Sequence, residues 1–433
     1  MKVLVIGNGG REHAIAWKLL QSEKVQQVIC VPGNGGTAST PRCMNLAMNA
    51  LDFEGIARFA LVNGVELIVV GPEVPLAAGI TDYLQNQGLR VFGPTRMGAQ
   101  IEASKAWAKA LMQEAKIPTS EAVVFTQASP AIAYVRQQGA PIVVKADGLA
   151  AGKGVTVAET VEAAEVAIND VFAGKFGEAG ERVVLEEYLV GQEISVLALT
   201  DGITVRPLVP AQDHKRIGEG DTGANTGGMG AYAPAPIATP DLMQQIQQEI
   251  LEPAIATLRK RQIDYRGVLY AGLMITPSGN PKVIEFNCRF GDPETQVVLP
   301  LLTNPLHELL LACAEQRLES FPAIEWQPGA AACVVLAAGG YPEAYKKGNS
   351  ITGIDQAEAR GAFVFHAGTQ RRGQNLVTDG GRVLGVTALG EDFEAAIAHA
   401  YGAVEQIHFD EMYYRRDIGH RVRSIKPSLN IEL

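Results

Sequence analysis

Short apolar runs punctuate the first part of the chain, and each one discharges into glycine. Residues 3–6 run into Gly7-Asn-Gly-Gly10, residues 25–31 into Pro32-Gly-Asn-Gly-Gly36, residues 67–70 into Gly71-Pro72-Glu73, and Val91-Phe92 into Gly93-Pro94. Continuous apolar runs of this length suit strands covered on both faces of a parallel sheet. Helix-type patterns lie between them, up to about residue 20 and over 53–63. Alternating strand and helix predicts a doubly wound α/β domain over residues 1–103. Its glycine turns fall at the carboxyl ends of the strands, where ligands sit in such sheets.

The pattern changes after residue 103. A helix opens at Lys105 with Ser104 as its cap and runs to about Ala115. Strands are expected at 142–145, 183–185 and 194–199, and an amphipathic helix over 241–261 that Pro253 kinks or divides. Residues 268–276 and 282–288 form a hairpin about the turn Ser278-Gly-Asn-Pro281. The longest apolar region, 297–314, is interrupted by Asn304-Pro305 and His307-Glu308, so it is expected as a core helix and not a membrane span. Strands at 331–337, 363–366, 375–378 and 383–389 and a helix at 393–406 complete a small α+β domain over 329–433 without a catalytic constellation of its own. The middle domain is then 104–328, with a subdomain at about 120–190.

Composition narrows the function classes. The chain of 433 residues suits about three domains at roughly 150 residues each. Its 37 basic and 47 acidic residues, with no long basic run, argue against nucleic-acid binding but leave room for a local basic pocket. Cys30, Cys43, Cys288, Cys313 and Cys333 are scattered and lack any C-x-x-C, as in a reducing cytosol. The start of the chain shows no leader pattern. A cytoplasmic monomer with small-molecule partners, and neither membrane nor nucleic acid, is the expectation.

Chemistry concentrates in Glu285-Phe-Asn-Cys-Arg-Phe-Gly-Asp-Pro-Glu294. On a strand Glu285 and Asn287 share one face beside Arg289, while Ile284, Phe286 and Cys288 take the other as core. Two oxygen ligands suit a hard cation such as Mg²⁺, held together with substrate phosphates. Arg289 can take a phosphate or carboxylate with its fork. Glu285 alone is better read as a solvated strand residue, but a surface strand has no reason to end in Arg289-Phe-Gly-Asp-Pro-Glu294.

Three glycine-rich stretches add to this. Ala146-Asp-Gly-Leu-Ala-Ala-Gly-Lys-Gly154 is not a Walker loop, because the spacing from Gly148 to Gly152 is one residue short and Gly154 stands where a hydroxyl is needed. A flap over triphosphate fits better, with Lys145 beside it. Residues 211–232 hold six glycines between Gly218 and Gly230, with Asp213, His214, Lys215 and Arg216 at the mouth. A long loop of this kind in a compact domain is usually functional. The first glycine turn lacks the third glycine of a nicotinamide fingerprint, Glu12 standing there, and no acid ends the second strand. The amides of Gly9, Gly10, Gly35 and Gly36 are still candidates for holding a phosphate.

Arg289-Phe-Gly-Asp-Pro-Glu-Thr-Gln296 resembles the signature of the glycinamide ribonucleotide synthetases of the ATP-grasp superfamily, and the resemblance runs through essentially the whole chain. It implies an ATP-grasp middle domain that joins glycine to 5-phosphoribosylamine through glycyl phosphate, with ATP and Mg²⁺ or Mn²⁺. It places Glu285 and Asn287 on the metal, and Arg289 and Asp213 in catalysis, Asp213 near the ammonium of glycine. Lys105 and Lys145 reach the phosphates under the Gly152-Lys-Gly154 flap, where Lys153 joins them. Glu186, with Glu187 beside it, and the backbone at Leu189 face adenine, and Glu193 holds the ribose. For Glu187 an exposed edge is a fair alternative. Asn8, Gly9, Gly10, Asn34 and Gly35 dock phosphoribosylamine. Glu73 joins them unless it is only a helix-start acid. Lys215 binds an anion, and His214 is equally a structural hydrogen-bonder. The last domain is expected to close one wall, with Arg289 near that seam. The rivals are another ATP-grasp carboxylate–amine ligase, a biotin-dependent carboxylase, a nicotinamide oxidoreductase and a noncatalytic nucleotide sensor.

Overall fold

A computed structural model describes residues 1–150 and 154–422. The first five strands are β1 (Lys2–Gly7), β2 (Gln27–Pro32), β3 (Cys43–Asn45), β4 (Leu67–Val70) and β5 (Val91–Phe92). They form one parallel sheet in the order β3-β2-β1-β4-β5. Val3, Leu4, Val5 and Ile6 are fully buried, as their unbroken apolar run requires. The pattern did not reveal β3, whose three residues alternate too briefly to register. Gly7 lies opposite Pro32 and Ile6 opposite Val70, so the glycine turns emerge side by side at one edge.

The subdomain near 120–190 is a separate small layer. Strands β6 (Ala122–Phe125), β7 (Ile142–Ala146), β8 (Val155–Ala158) and β9 (Val183–Glu187) pair in the order β6-β9-β7-β8. Helices Ala128–Gln138 and Val161–Asp170 contribute to a hydrophobic cluster of its own. Ser104 accepts from Trp107 N at 3.1 Å, the expected cap of helix Lys105–Ala115.

The next elements are β10 (Gln192–Thr200), β11 (Val205–Pro207), β12 (Gln212–Asp213), β13 (Arg216–Gly218), β14 (Thr222–Asn225), β15 (Gly230–Ala233), β16 (Gly267–Ile275) and β17 (Pro281–Asn287). An antiparallel sheet runs β11-β10-β16-β17, and the expected hairpin is its β16–β17 edge. Pro253 does not break the helix before it. Pro240–Ile246 passes through one π turn, Gln247–Leu251, into Glu252–Lys260, and Pro253 sits in the first turn of that last part. A wider turn leaves room for a ring that cannot donate. The 297–314 region is two helices, Thr295–Leu301 and Leu306–Ala314, and not the single helix expected. The second is capped at Pro305, and both pack in a core shared with β1, β2 and β4. Among the described residues, no helix is long and apolar enough to cross a membrane.

The last strands are β18 (Ala330–Ala337), β19 (Phe363–His366), β20 (Thr369–Arg372), β21 (Asn375–Thr378) and β22 (Arg382–Gly390), with helix Phe393–Val404 against β18 and β22. Their main sheet reads β12-β15-β18-β22-β19. The two short strands that bracket the 213–230 loop are therefore built into the sheet of the last domain.

Candidate active site

The β16–β17 pairing carries a bulge: Gly272 faces Glu285, but the next partner of Leu273 is Val283. The extra residue resets the alternation. Val283, Phe286 and Cys288 go into the core, and Ile284, expected there, stays half-buried at the bulge. Glu285 and Asn287 share the opposite face as expected. Burial pushes the Glu285 carboxyl up, but Lys215, Lys145, Lys105 and Arg289 outweigh it and hold it below its ordinary value. Asn287 is buried, and its Oδ1 accepts from Arg289 Nη2 at 3.3 Å. Among the described residues no cluster of three or more His, Cys, Asp or Glu is built to hold a metal unaided. One ionised carboxylate plus one carboxamide oxygen suits a divalent cation that takes its remaining ligands from phosphates and water.

Arg289 is already gripped from two sides. Its Nε lies 3.2 Å from Glu73 Oε2 and its Nη2 2.8 Å from Glu102 Oε1. Glu102 also accepts from Cys288 N at 2.8 Å. Glu73 is thus both the first residue of helix Glu73–Ala78 and a partner of the signature arginine. Sequence reasoning missed Glu102. It lies in the four-residue helix Gln100–Ala103, and nothing local marks a carboxylate whose partner is 187 positions away.

On the nucleotide side Glu186 is 3% exposed and sits between two lysines, 3.0 Å from Lys145 and 3.1 Å from Lys109, with Ser120 Oγ at 2.6 Å. Lys109 was not anticipated. Burial brings its ammonium down to about 8 despite Glu186. Lys145 also donates to Ile284 O at 3.2 Å, joining this layer to the bulge of β17. Lys105 donates to Gly148 O at 2.9 Å. Gly154 is buried and accepts from Ala146 N at 2.8 Å, while Gly152 and Lys153 lie outside the described residues. Glu187 is exposed and pairs with Lys282 at 3.3 Å, and Leu189 is half-buried. Glu193 is 2.8 Å from Lys215.

Asp213 is buried on β12, opposite Ala231 of β15. Burial raises its carboxyl to about 7; Lys215 opposes this and Glu294, Glu193 and Glu285 add to it. Lys215, drawn the other way by Glu193, Asp213 and Glu285 against its own burial, stays firmly cationic. Glu294 is 2% exposed and accepts from Tyr270 OH at 2.5 Å and Ser195 Oγ at 3.0 Å. His214 takes the structural alternative. It is fully buried and its Nε2 accepts from Gly419 N at 3.3 Å; burial, aided by Arg415, lowers it to about 3 and keeps it neutral.

The Asp213 shift makes a testable statement about stability. The folded chain keeps a proton up to about 7 that the unfolded chain releases near the ordinary carboxyl value of 3.8. Stability therefore falls as pH rises through that window, by at most a few kcal/mol at about 1.4 kcal/mol per unit. Asp213→Asn has no proton to lose. Its melting temperature should exceed the parent's clearly at about pH 8 and by less at about pH 5. A gain that is equal at both, or larger in acid, would show that Asp213 is not protonated by burial.

At the remaining edge Asn8 is exposed, and Gly9 and Gly10 start helix Gly10–Leu20. The Asn34 carboxamide ties the two loops together. Its Nδ2 donates to Asn8 O at 2.9 Å and His366 O at 2.7 Å, and its Oδ1 accepts from Gly36 N at 2.9 Å and Thr37 N at 3.0 Å. The expectation of a ready-made amide cradle needs correcting. Gly9 N donates to Glu12 Oε2 at 2.6 Å, Gly35 N to Thr369 O at 3.0 Å, and Gly36 N to Asn34. Of the four amides considered, three are engaged within the protein. The last domain does form a wall here, through His366 and Thr369, and Asp292 completes the junction by accepting from Arg11 N at 3.3 Å.

Known proteins share this arrangement from end to end. Family descriptions of the phosphoribosylglycinamide synthetase N domain, ATP-grasp (A) domain and C domain match residues 1–102, 103–295 and 331–421. A phosphoribosylamine–glycine ligase of a Nostoc species is 70% identical over 98% of this chain and 100% of its own. The Escherichia coli ligase is 51% identical over 97% of this chain and 98% of its own. The crystal structure of the Thermotoga maritima ligase superposes with a TM-score of 0.82 at 33% identity, covering 96% of this chain and 100% of that one. The biotin carboxylase domain of a Hydrogenobacter thermophilus 2-oxoglutarate carboxylase, solved with magnesium ADP and bicarbonate, shares the fold at TM-score 0.70 and 18% identity, over 95% of this chain and 91% of that one.

Proposed function

We propose how the site works from one premise: this chain belongs to the phosphoribosylglycinamide synthetase family and is an ATP-dependent ligase that joins glycine to 5-phosphoribosylamine in purine biosynthesis. The division of labour is carried by Glu285, which shares its strand face with Asn287 and whose carboxyl Lys215, Lys145, Lys105 and Arg289 hold below its ordinary value against burial. Four cations around one ionised carboxylate, with a carboxamide oxygen beside it, fit a triphosphate and its counter-ion. Glu285 and Asn287 would hold a divalent cation, Mg²⁺ or Mn²⁺. Bound there with the nucleotide, it would neutralise charge on the transferring oxygens.

Glycine's carboxylate is a poor acylating agent and needs a phosphate leaving group. Its oxygen attacks the γ-phosphorus, the bond to the β-phosphate oxygen breaks, and ADP leaves with the electron pair. The amine of phosphoribosylamine then attacks the carbonyl carbon of glycyl phosphate, phosphate departs, and the amine proton goes to the medium. This chain supplies alignment and fixed positive charge, the main requirements of phosphoryl transfer. Lys105 and Lys145 face the phosphates, Lys153 and Gly152 are assigned to the same role, and Arg289 faces the reacting oxygens. Asp213 takes the ammonium of glycine and Lys215 an anionic group nearby. Glu193 and the backbone at Leu189 contact the nucleoside. Asn8, Gly9, Gly10, Asn34, Gly35 and Glu73 shape the phosphoribosylamine end. We place the domain boundaries near 103 and 328, and a monomer in the cytoplasm suits the five free cysteines.

Turnover of ATP should require glycine and phosphoribosylamine together, and bicarbonate should replace neither. Bicarbonate-dependent turnover would favour the carboxylase reading. Glu186 acts on ATP through its lysines in this scheme. Glu186→Gln frees Lys109 and Lys145 from their shared carboxylate, and the KM for ATP should rise about tenfold, a loss of ~1.4 kcal/mol. The KM for glycine should stay put, and an equal rise in both would remove Glu186 from the nucleotide side.

A further inference from the structure

The last domain meets the 226–230 turn through the β15–β18 pairing and through two side chains, Arg382 and Tyr341. Arg382, at the start of β22, directs Nη1 at Gly227 O (2.7 Å), Gly228 O (3.5 Å) and Asp292 O (2.9 Å), and the same nitrogen is 3.3 Å from Asp292 Oδ1. The contact is tight. A Cβ on Gly227 would stand 2.9 Å from Arg382 Cζ, and one on Gly228, which has φ of +113°, would stand 2.5 Å from Pro293 Cδ. Tyr341 OH accepts from Gly227 N at 3.1 Å and holds the same turn from the same domain. The turn is in its own right bonded to the backbone at 214–215. Thr226 N and Oγ1 both donate to Lys215 O at 2.8 Å, Met229 N donates to His214 O at 2.8 Å, and His214 N donates to Gly230 O at 2.9 Å. The 226–230 turn is thus laid against the backbone that carries Asp213 and Lys215. At its other end Arg382 holds Asp292, which also accepts from Arg11 N at 3.3 Å and Gln296 Nε2 at 2.8 Å.

We infer that Arg382 is a positioning residue for glycine: it locks the 226–230 turn to Asp292 and so sets where Asp213 and Lys215 stand relative to the reacting centre. All three carbonyls and the Asp292 carboxylate fall to Nη1, and the planar guanidinium fixes the direction of that nitrogen, which a freely rotating ammonium does not. The inference rests on the assignment of Asp213 and Lys215 to glycine. It gives the last domain a part in glycine binding that its own sequence does not advertise.

The test is steady-state kinetics on the full chain, with thermal unfolding measured in parallel. Arg382→Ala should raise the KM for glycine about tenfold or more while the KM for ATP moves less than about twofold, and added guanidinium chloride should restore part of the loss. If that variant does not fold, Arg382→Lys, which keeps the charge but not the fork, should show the same split. On an Asp213→Asn background Arg382→Ala should add little, because both act on one contact. A glycine KM within about twofold of the parent overturns the inference, as does a rise confined to phosphoribosylamine, which would mean direct contact with that substrate. If Asp213→Asn alone leaves the glycine KM unchanged, the glycine assignment fails and takes this inference with it. If Asp213→Asn raises it while Arg382→Ala does not, only the inference is overturned.

Discussion

Replacing Glu285 with Gln should reduce turnover by about a thousandfold or more at saturating substrates, the scale on which electrostatic stabilisation of transferring groups operates. The substitution keeps shape and removes one charge. Its effect should be this large because Glu285 is the only carboxylate on the β17 face, which otherwise offers Asn287 and Arg289. The carboxylate is also kept ionised by Lys215, Lys145, Lys105 and Arg289 against its own burial, so its charge is present throughout the neutral range. A carboxamide in its place leaves four cations converging on a neutral group and a divalent ion with two neutral protein oxygens. Glu285→Asp should retain part of the rate but need more metal for half-maximal turnover. The readout is ADP release as a function of Mg²⁺ and of Mn²⁺. Glu285→Gln with more than about a tenth of parental turnover at ordinary metal concentrations would place the ion elsewhere.

The second large effect is expected at Arg289. Arg289→Ala removes the common partner of Glu73 and Glu102, whose side chains are 25% and 8% exposed. Breaking a buried pair by deleting one member typically costs about 3–5 kcal/mol, because a charge is left without compensation. Catalysis should fall with it, by about a hundredfold or more, since Arg289 also donates to Asn287 and supplies charge beside Glu285. The pH dependence separates the two losses. Burial already raises the Glu102 carboxyl, with Arg289 opposing and Glu73 adding to the rise. Without Arg289 it should bind a proton more readily still. The folded variant then holds a proton that the unfolded chain gives up, so its stability deficit should grow as pH rises and shrink in acid. Arg289→Ala/Glu102→Gln should regain much of the stability and none of the turnover. If the double variant melts where the single one does, the cost is not an unpaired Glu102.

Much of the fold was legible because it follows from local rules. Unbroken apolar runs marked β1 and β4, glycine marked their ends, and Ser104 marked a helix start. Period-two alternation put Glu285 and Asn287 on one face of β17 and Phe286 and Cys288 on the other. The signature run 289–296 identified the chemistry because so many unusual residues lie consecutively. The failures have a common cause. Unbroken alternation sends Ile284 to the core, but a bulge that only strand pairing reveals interrupts it. Sequence alone leaves the amides of Gly9, Gly35 and Gly36 open, but in the fold Glu12, Thr369 and Asn34 occupy them.

By itself the sequence determined most of the order of elements, the buried faces, the glycine turns at the strand ends and the family. The tertiary structure alone decided which charges meet. Glu102 reaches Arg289, Lys109 shares Glu186 with Lys145, and Arg382 joins Gly227 to Asp292. Periodicity reports which way a side chain faces relative to its own element. A pair such as Glu102 and Arg289, 187 positions apart, is set by how the layers stack, and no window along the chain contains that information.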